Sequence, residues 1–214
     1  LGIGEGGVRP DSESGYQACE FASSDPVEQG CVGAGTGATV GKTQGPQRSV
    51  KGGLGSASID LGEGLLVGAL VVVNAIGSVH DPENGLLIAG PRDNKSMSSS
   101  INDLISGNSF KLPDINGNTT IGVVVTNAKL TKAQAARMAA SSHDGLALAI
   151  RPSHLIGDGD TMFSISTGEQ GGIDGYGDMN RIIAGTIKTV SLAILNAINF
   201  AETMGGVPSV KDVS

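Results

Sequence analysis

Three places along this 214-residue chain put reactive side chains where chemistry could use them. The first is the junction Gly117-Asn118-Thr119-Thr120, where a polar stretch runs into a β-branched segment headed by a hydroxyl residue. Cutting the peptide bond before Thr119 would give a chain that starts with a hydroxyl nucleophile. That chain would carry its own α-amine, whose ordinary pKa of about 8 suits a general base near neutrality. The same residues also read as a plain strand start, and residue types alone favour that reading. The second place is Lys42, delivered by the glycine-rich run CVGAGTGATVGKTQG (31–45). Alone, it reads as a solvent-exposed lysine. The third is Asp158-Gly159-Asp160, which can chelate a cation, orient a lysine or shape a turn. The loop lacks the further oxygen ligands of an EF-hand, so calcium is not expected.

Other matches fail on spacing or context. A phosphate-binding P-loop ending in Gly41-Lys42-Thr43 would need its first glycine where Thr36 stands. Gly33-x-Gly35-x-x-Ala38 fits the dinucleotide fingerprint, but no apolar strand precedes it and no helix-forming stretch follows. His143 lies in a helical Ser-Ser-His-Asp whose side chains point in different directions around the axis, and His80 and His154 sit beside turns. None of the histidines is expected to be a catalytic base. Cys19 and Cys31 form no C-x-x-C pair and have no nearby histidine, so they read as buried, reduced thiols of a cytoplasmic protein. No metal and no cofactor is expected.

The elements that must position these residues follow from hydrophobic period and turn chemistry. Residues 10–24 read as a first helix. Residues 52–61 and 65–75 read as two strands at hairpin spacing, the second continuously apolar as if covered on both faces. Residues 84–90 can add a short strand. The Ser/Asn-rich stretch 91–118 has almost no periodicity and reads as a surface segment. A β-branched strand over 119–128 follows, then a helix that Thr131 can cap, the turn SHLIGDGD, a strand TMFSIST and a glycine-rich loop at 168–177. The last helix places Met179, Ile182, Ile183, Ile187, Val190, Ala193, Ile194, Ala197, Ile198 and Ala201 at helical period. This order predicts an α/β sandwich in one domain.

Composition agrees. Glycine accounts for 34 residues without a G-X-Y period, and aromatic residues for only 3%. The core must therefore be packed from Val, Ile, Leu and Ala at close quarters, and both disorder and collagen are excluded. A net charge of −7, with no acidic tail or basic run, makes nucleic acid and anionic membrane surfaces poor partners. The apolar run 65–77 is too short to span a bilayer, and Arg181, Lys188 and Glu202 interrupt the apolar pattern near the C-terminus. The opening Leu-Gly-Ile-Gly has no initiator methionine and reads as cut from something longer.

The segments GNTTIGVVVTNAKLTKAQAARMA and SHDGLALAIRPSHLIGDGDTMFSISTG, with VGAGTGATVGK and GALVVVNAIG upstream, resemble the self-processing L-aminopeptidase/D-esterase (DmpA-type) family. That family includes the β-aminopeptidases and the nylon-oligomer (6-aminohexanoate oligomer) hydrolases. The resemblance implies an αββα sandwich of the DmpA/ornithine acetyltransferase-like type, with the N-terminal part missing from this chain. It implies autocatalytic cleavage between Asn118 and Thr119, with 91–118 as the processing loop, residues 1–118 ending one chain and 119–214 forming the next. Thr119 then becomes the nucleophile for a small peptide or amide substrate. Lys42 matches the family's catalytic lysine, Asn74 the asparagine that helps bind the oxyanion, and Asp158 and Asp160 the acidic pair that holds Lys42 and Thr119 in place. Thr rather than Ser at the nucleophile position is shared with the nylon-oligomer hydrolases. A homo-oligomer of processed αβ heterodimers is implied as well. The alternatives are an acyltransferase of the ornithine acetyltransferase type or an inactive structural homologue.

Overall fold

A computed structural model describes residues 7–93, 96–109, 117–173 and 175–213. In chain order the first elements are helix α1 (Ser12–Glu20) and strands β1 (Thr39–Val40), β2 (Val50–Lys51), β3 (Gly53–Asp60), β4 (Leu66–Asn74), β5 (Ser78–His80) and β6 (Leu87–Ala89). Helix α2 (Ser100–Ile105), strand β7 (Thr119–Thr126), helix α3 (Lys132–Ala149), strands β8 (Ile150–Arg151) and β9 (Thr161–Ser166), and helix α4 (Gly175–Asn199) follow.

The expected hairpin forms: β3 and β4 pair antiparallel from Gly53↔Val73 to Asp60↔Leu66. Strand β7 adds to β4 antiparallel, and β9 lies parallel to β7, giving the order β3-β4-β7-β9. A parallel neighbour requires a crossover, and α3 supplies it. Thr131 starts α3 as expected, with a capping box in which Thr131 and Gln134 satisfy each other's backbone N–H groups. Two small sheets, β1-β2 and β6-β5-β8, stand beside the main one.

Helices α3 and α4 pack on each other, and α4 covers β3 and β4. Burial along β4 alternates: Val67, Ala69, Val71 and Val73 are buried, while Leu66 on the opposite face is exposed. Among the described residues only one face of this strand is therefore fully covered, where its continuous apolar run predicts two. The exposed Ile121, Phe163 and Ile165 of β7 and β9 continue that open face. The α/β class stands as expected, and the described residues supply one helical layer on one sheet. Most of the expected apolar stripe of α4 is buried against the sheet, with Ile183 and Ile187 half-buried at its edges. By length and composition α4 could cross a membrane, but here that apolar character is used in the core.

Two expectations are corrected. Stretch 91–118 is not uniformly a structureless surface segment: α2 forms within it, with Ser100 and Asp103 buried. No apolar stripe marks this helix, because polar contacts anchor it. Ser100 N–H donates to Ser78 Oγ at 2.8 Å, and Ser98 Oγ donates to Asp103 Oδ2 at 2.8 Å. Residues 94–95 and 110–116 of that stretch lie outside the described residues. The cysteines are not both buried, since Cys19 is exposed on α1, which buries no residue of its own.

Close packing explains part of the glycine excess. A Cβ on Gly55 would lie 1.9 Å from the Ala193 carbonyl oxygen and 2.5 Å from the Ala197 nitrogen, so α4 rests directly on β3. Gly55→Ala must push helix and strand apart, and overpacking of this kind costs roughly 2–3 kcal/mol. Urea denaturation of the full-length protein should show a correspondingly lower midpoint.

Candidate active site

Sheet register builds the site first. The pairing of β4 with β7 runs through Val73↔Thr120 to Asn74↔Thr119, so the polar end of one strand faces the hydroxyl start of the other. Past β4 the chain is clamped to the glycine-rich loop, with Gly41 N–H donating to Gly77 O at 3.0 Å and Lys42 N–H to Ile76 O at 2.9 Å. From the other side, the parallel pairing of β9 extends back to a bridge between Asn118 and Asp158. Lys42, Asn74, Asn118, Thr119, Asp158 and Asp160, from four separate stretches of sequence, thus converge on one place.

Within it, Lys42 Nζ donates to Asn74 O and Asn74 Oδ1, both at 2.8 Å, and to Asn118 Oδ1 at 2.9 Å. The lysine is buried rather than solvent-exposed. Asn74 Oδ1 also accepts the Thr39 N–H at 3.0 Å, and Asn74 Nδ2 donates to Gly117 O at 2.6 Å. The Thr119 hydroxyl donates to the carbonyl oxygen of Asn118, the residue just before it. That oxygen also accepts the backbone N–H of Gly159 at 2.9 Å. Gly159 N–H thus joins the Thr119 hydroxyl on this carbonyl, while the Asn74 amide donates to the neighbouring carbonyl of Gly117.

The acidic pair divides its contacts. Asp160 Oδ1 accepts the Thr120 N–H at 2.8 Å, and its Oδ2 accepts the His154 N–H at 3.0 Å and lies 3.1 Å from His154 Nδ1. Asp158 Oδ2 accepts the Ile76 N–H at 3.2 Å, while the buried Asp158 Oδ1 has no hydrogen-bond partner among the described residues. Neither carboxylate forms a direct ion pair with Lys42. Asn74 and Asn118 hold the lysine, and Asp160 holds the start of β7 through Thr120.

Burial sets the electrostatics. Desolvation lowers the Lys42 ammonium to about 7, against the opposing attraction of Asp158. Desolvation raises Asp158 to about 6, and the charge of Asp160 adds to it, while the Ile76 N–H, Lys42 and His154 oppose it. An amine and a carboxyl that both titrate near neutrality, beside a hydroxyl already touching a carbonyl, form an arrangement suited to acyl transfer. No cluster of metal-ligating side chains occurs among the described residues.

Sequence reasoning missed Gly159 as a donor and His154 as a partner of Asp160. The signal for Gly159 was the glycine between the two aspartates: a Cβ there would lie 2.8 Å from Thr119 Oγ1. His154 carried no comparable signal.

Comparison with known proteins places the chain in a family. The profile of peptidase family S58 matches residues 5–211. An uncharacterized aminopeptidase of Mycobacterium tuberculosis is 34% identical over 234 residues, covering all of this chain and 64% of the relative. A 6-aminohexanoate-oligomer endohydrolase of Kocuria sp. is 31% identical over 169 residues, covering 76% of this chain and 46% of the relative. The chain thus spans less than two thirds of the length of these relatives. Among solved structures, the L-aminopeptidase D-Ala-esterase/amidase of Ochrobactrum anthropi, described as a variant of the Ntn hydrolase fold, superposes with a TM-score of 0.63 at 20% identity. It covers 92% of this chain and 51% of that one, and it shows that the fold is of the Ntn-hydrolase type. With a family profile spanning nearly its whole length and relatives above 30% identity, the chain belongs to peptidase family S58, the DmpA-type family.

Proposed function

We propose that this chain is the catalytic part of an amide hydrolase that cleaves itself between Asn118 and Thr119 and then uses Thr119 as an N-terminal nucleophile. The observation that carries this reading is the Asn118 carbonyl oxygen, contacted at once by the Thr119 hydroxyl and the Gly159 N–H. In the first reaction Thr119 Oγ attacks the Asn118 carbonyl carbon while Gly159 N–H steadies the developing oxyanion. The Thr119 nitrogen takes up a proton and leaves, and the Asn118 acyl group is now an ester on Thr119 Oγ. Water hydrolyses that ester, leaving a carboxylate on Asn118 and a free amine on Thr119.

In the second reaction the same hydroxyl attacks the carbonyl of a peptide or related amide, its proton passing to an amine nearby. An acyl-enzyme forms, the leaving amine departs protonated, and water regenerates the hydroxyl. Lys42, brought to about 7 by burial, can take up a proton at neutral pH as an ordinary lysine could not. The names of the relatives, aminopeptidase and oligomer endohydrolase, support amides as the substrate class.

Thr119→Ala in the full-length protein should leave one uncut chain by intact-mass analysis and lower amide hydrolysis by roughly 10⁴-fold or more. Two chains, or near-normal turnover, in that variant would sink the reading. The Lys42 shift also fixes a pH dependence. Its folded-state value lies far below the ordinary 10.5, so the proton-accepting form accumulates as pH rises through about 7. Wild-type kcat/KM should accordingly rise across that range. Lys42→Arg stays protonated throughout, and it should be slower by roughly 10²–10⁴-fold, with no inflection near 7 in its pH–rate profile.

A further inference from the structure

Sequence alone gives His154 and His143 no role, and the hydrolytic scheme does not use them, yet they occupy the far side of the acidic pair. The Asp160 side chain is 1% exposed, so its charge depends on donors within the protein. It has Thr120 N–H on one oxygen, and His154 backbone N–H and ring Nδ1 on the other. Among the described residues, His154 alone approaches this carboxylate with both backbone and side chain.

To do so His154 adopts φ 56°, a left-handed conformation uncommon for a non-glycine residue. Such strain persists where surrounding contacts enforce it. Here the conformation aims backbone N–H and ring at the same Asp160 oxygen. Behind the ring stands His143 of α3, with centroids 4.9 Å apart and planes tilted by 50°. Burial, then the neighbouring His154, hold the His143 imidazole below its ordinary value, so it backs the ring as a neutral wall.

Two residues earlier, Asp158 has the opposite environment. It accepts one backbone N–H on Oδ2, and its buried Oδ1 has no partner among the described residues. Carboxyls this close cannot both ionise freely, and the one with fewer donors yields. The ionisable groups bearing on the pair are Lys42 from the glycine-rich loop, His154 in the turn, and His143 with Asp144 from α3.

We propose that His154, backed by His143, is a positioning residue that holds Asp160 in place as the anchor of the nucleophile strand and leaves Asp158 as the carboxyl of the pair that gives and takes a proton. Its catalytic meaning rests on the reading of Thr119 as nucleophile, whereas the hold on Asp160 and the titration of Asp158 do not.

The test uses the full-length protein and two readouts. His154→Phe keeps a ring on His143 but removes the ring donor. The Asp160 oxygen then loses its ring partner while keeping the His154 backbone N–H, and kcat should fall roughly tenfold with KM little changed. His154→Asn tolerates left-handed backbone and retains an N–H donor, so it should restore most of that loss. A residue that merely fills space would be replaced better by Phe than by Asn, so a Phe variant at wild-type kcat, or an Asn variant no faster than the Phe variant, overturns the proposal. Carbon-13 NMR titration of labelled aspartates supplies the readout that needs neither cleavage nor turnover, run in the Thr119→Ala chain with and without Asp158→Asn. Asp158→Asn should abolish the carboxyl titration near pH 6. A carboxyl titration near pH 6 that survives Asp158→Asn overturns the proposal, including where His154→Phe fails to fold. If the Thr119 reading alone is wrong, the Thr119→Ala chain is still cut or active while the carboxyl titration behaves as stated.

Discussion

The register between β4 and β7 is the constraint on which the rest of the site depends. Eight consecutive pairs, from Val67↔Thr126 to Asn74↔Thr119, lock the two strands. Side chains alternate between faces with a period of two, so a slip by one residue would move the Thr119 hydroxyl to the face packed by the helices and bring Thr120 out. The pattern forbids that slip. Val67, Val71 and Val73 on β4, with Val124 on β7, are wholly buried on the helix side, and no polar exchange there would be tolerated. Precision at the junction is thus inherited from ordinary apolar packing several residues away. The parallel pairing of β9 then carries the same precision to Asp158 and Asp160.

A buried lysine is the second consequence of that geometry. Taking an ammonium out of water is unfavourable unless its protons are accepted, and Lys42 finds three acceptors on Asn74 and Asn118. Those contacts let the side chain be buried, while burial itself lowers its proton affinity into the neutral range. One asparagine of the set belongs to the bond that the proposed self-cleavage breaks. The lysine's surroundings thus include the junction itself, through the Asn118 side-chain oxygen.

Much of this was legible in the residues. The hairpin, the Thr131-capped helix, the strand after the junction and the long final helix all follow from period and caps, because each is dominated by local signals. The faces of β4 did not, since a run of Val, Leu and Ala reads the same whether one side or two are covered. Helix α2 was hidden because Ser78, Ser98 and Asp103 hold it through hydrogen bonds that leave no hydrophobic period. Lys42 was ambiguous for a related reason: a glycine-rich loop says that backbone comes close to something, and only the strands, far off in sequence, say to what. The role of Asn74 came from resemblance, and its geometry proved more distributed than that resemblance implies, with its oxygen holding Lys42 and its amide holding Gly117.

The spacing Asp158-Gly159-Asp160 shows how a few residues can be read differently once a partner strand is known. In extended backbone, residues two apart project to the same side while the peptide groups between them face the neighbouring strand. Beside the start of β7, this places a carboxyl, a backbone N–H and a second carboxyl in sequence along the Asn118-Thr119-Thr120 backbone. The N–H meets the Asn118 carbonyl and the second carboxyl meets the Thr120 N–H. Only glycine fits the middle position, because any Cβ would press on the Thr119 hydroxyl oxygen. A turn would need no such combination, since turn geometry constrains neither the carboxyl at each end nor the absence of a side chain between them. The motif is therefore a complement to the junction it lies against, with the glycine holding the carbonyl and the flanking aspartates differing only in how many donors the surrounding fold supplies to each.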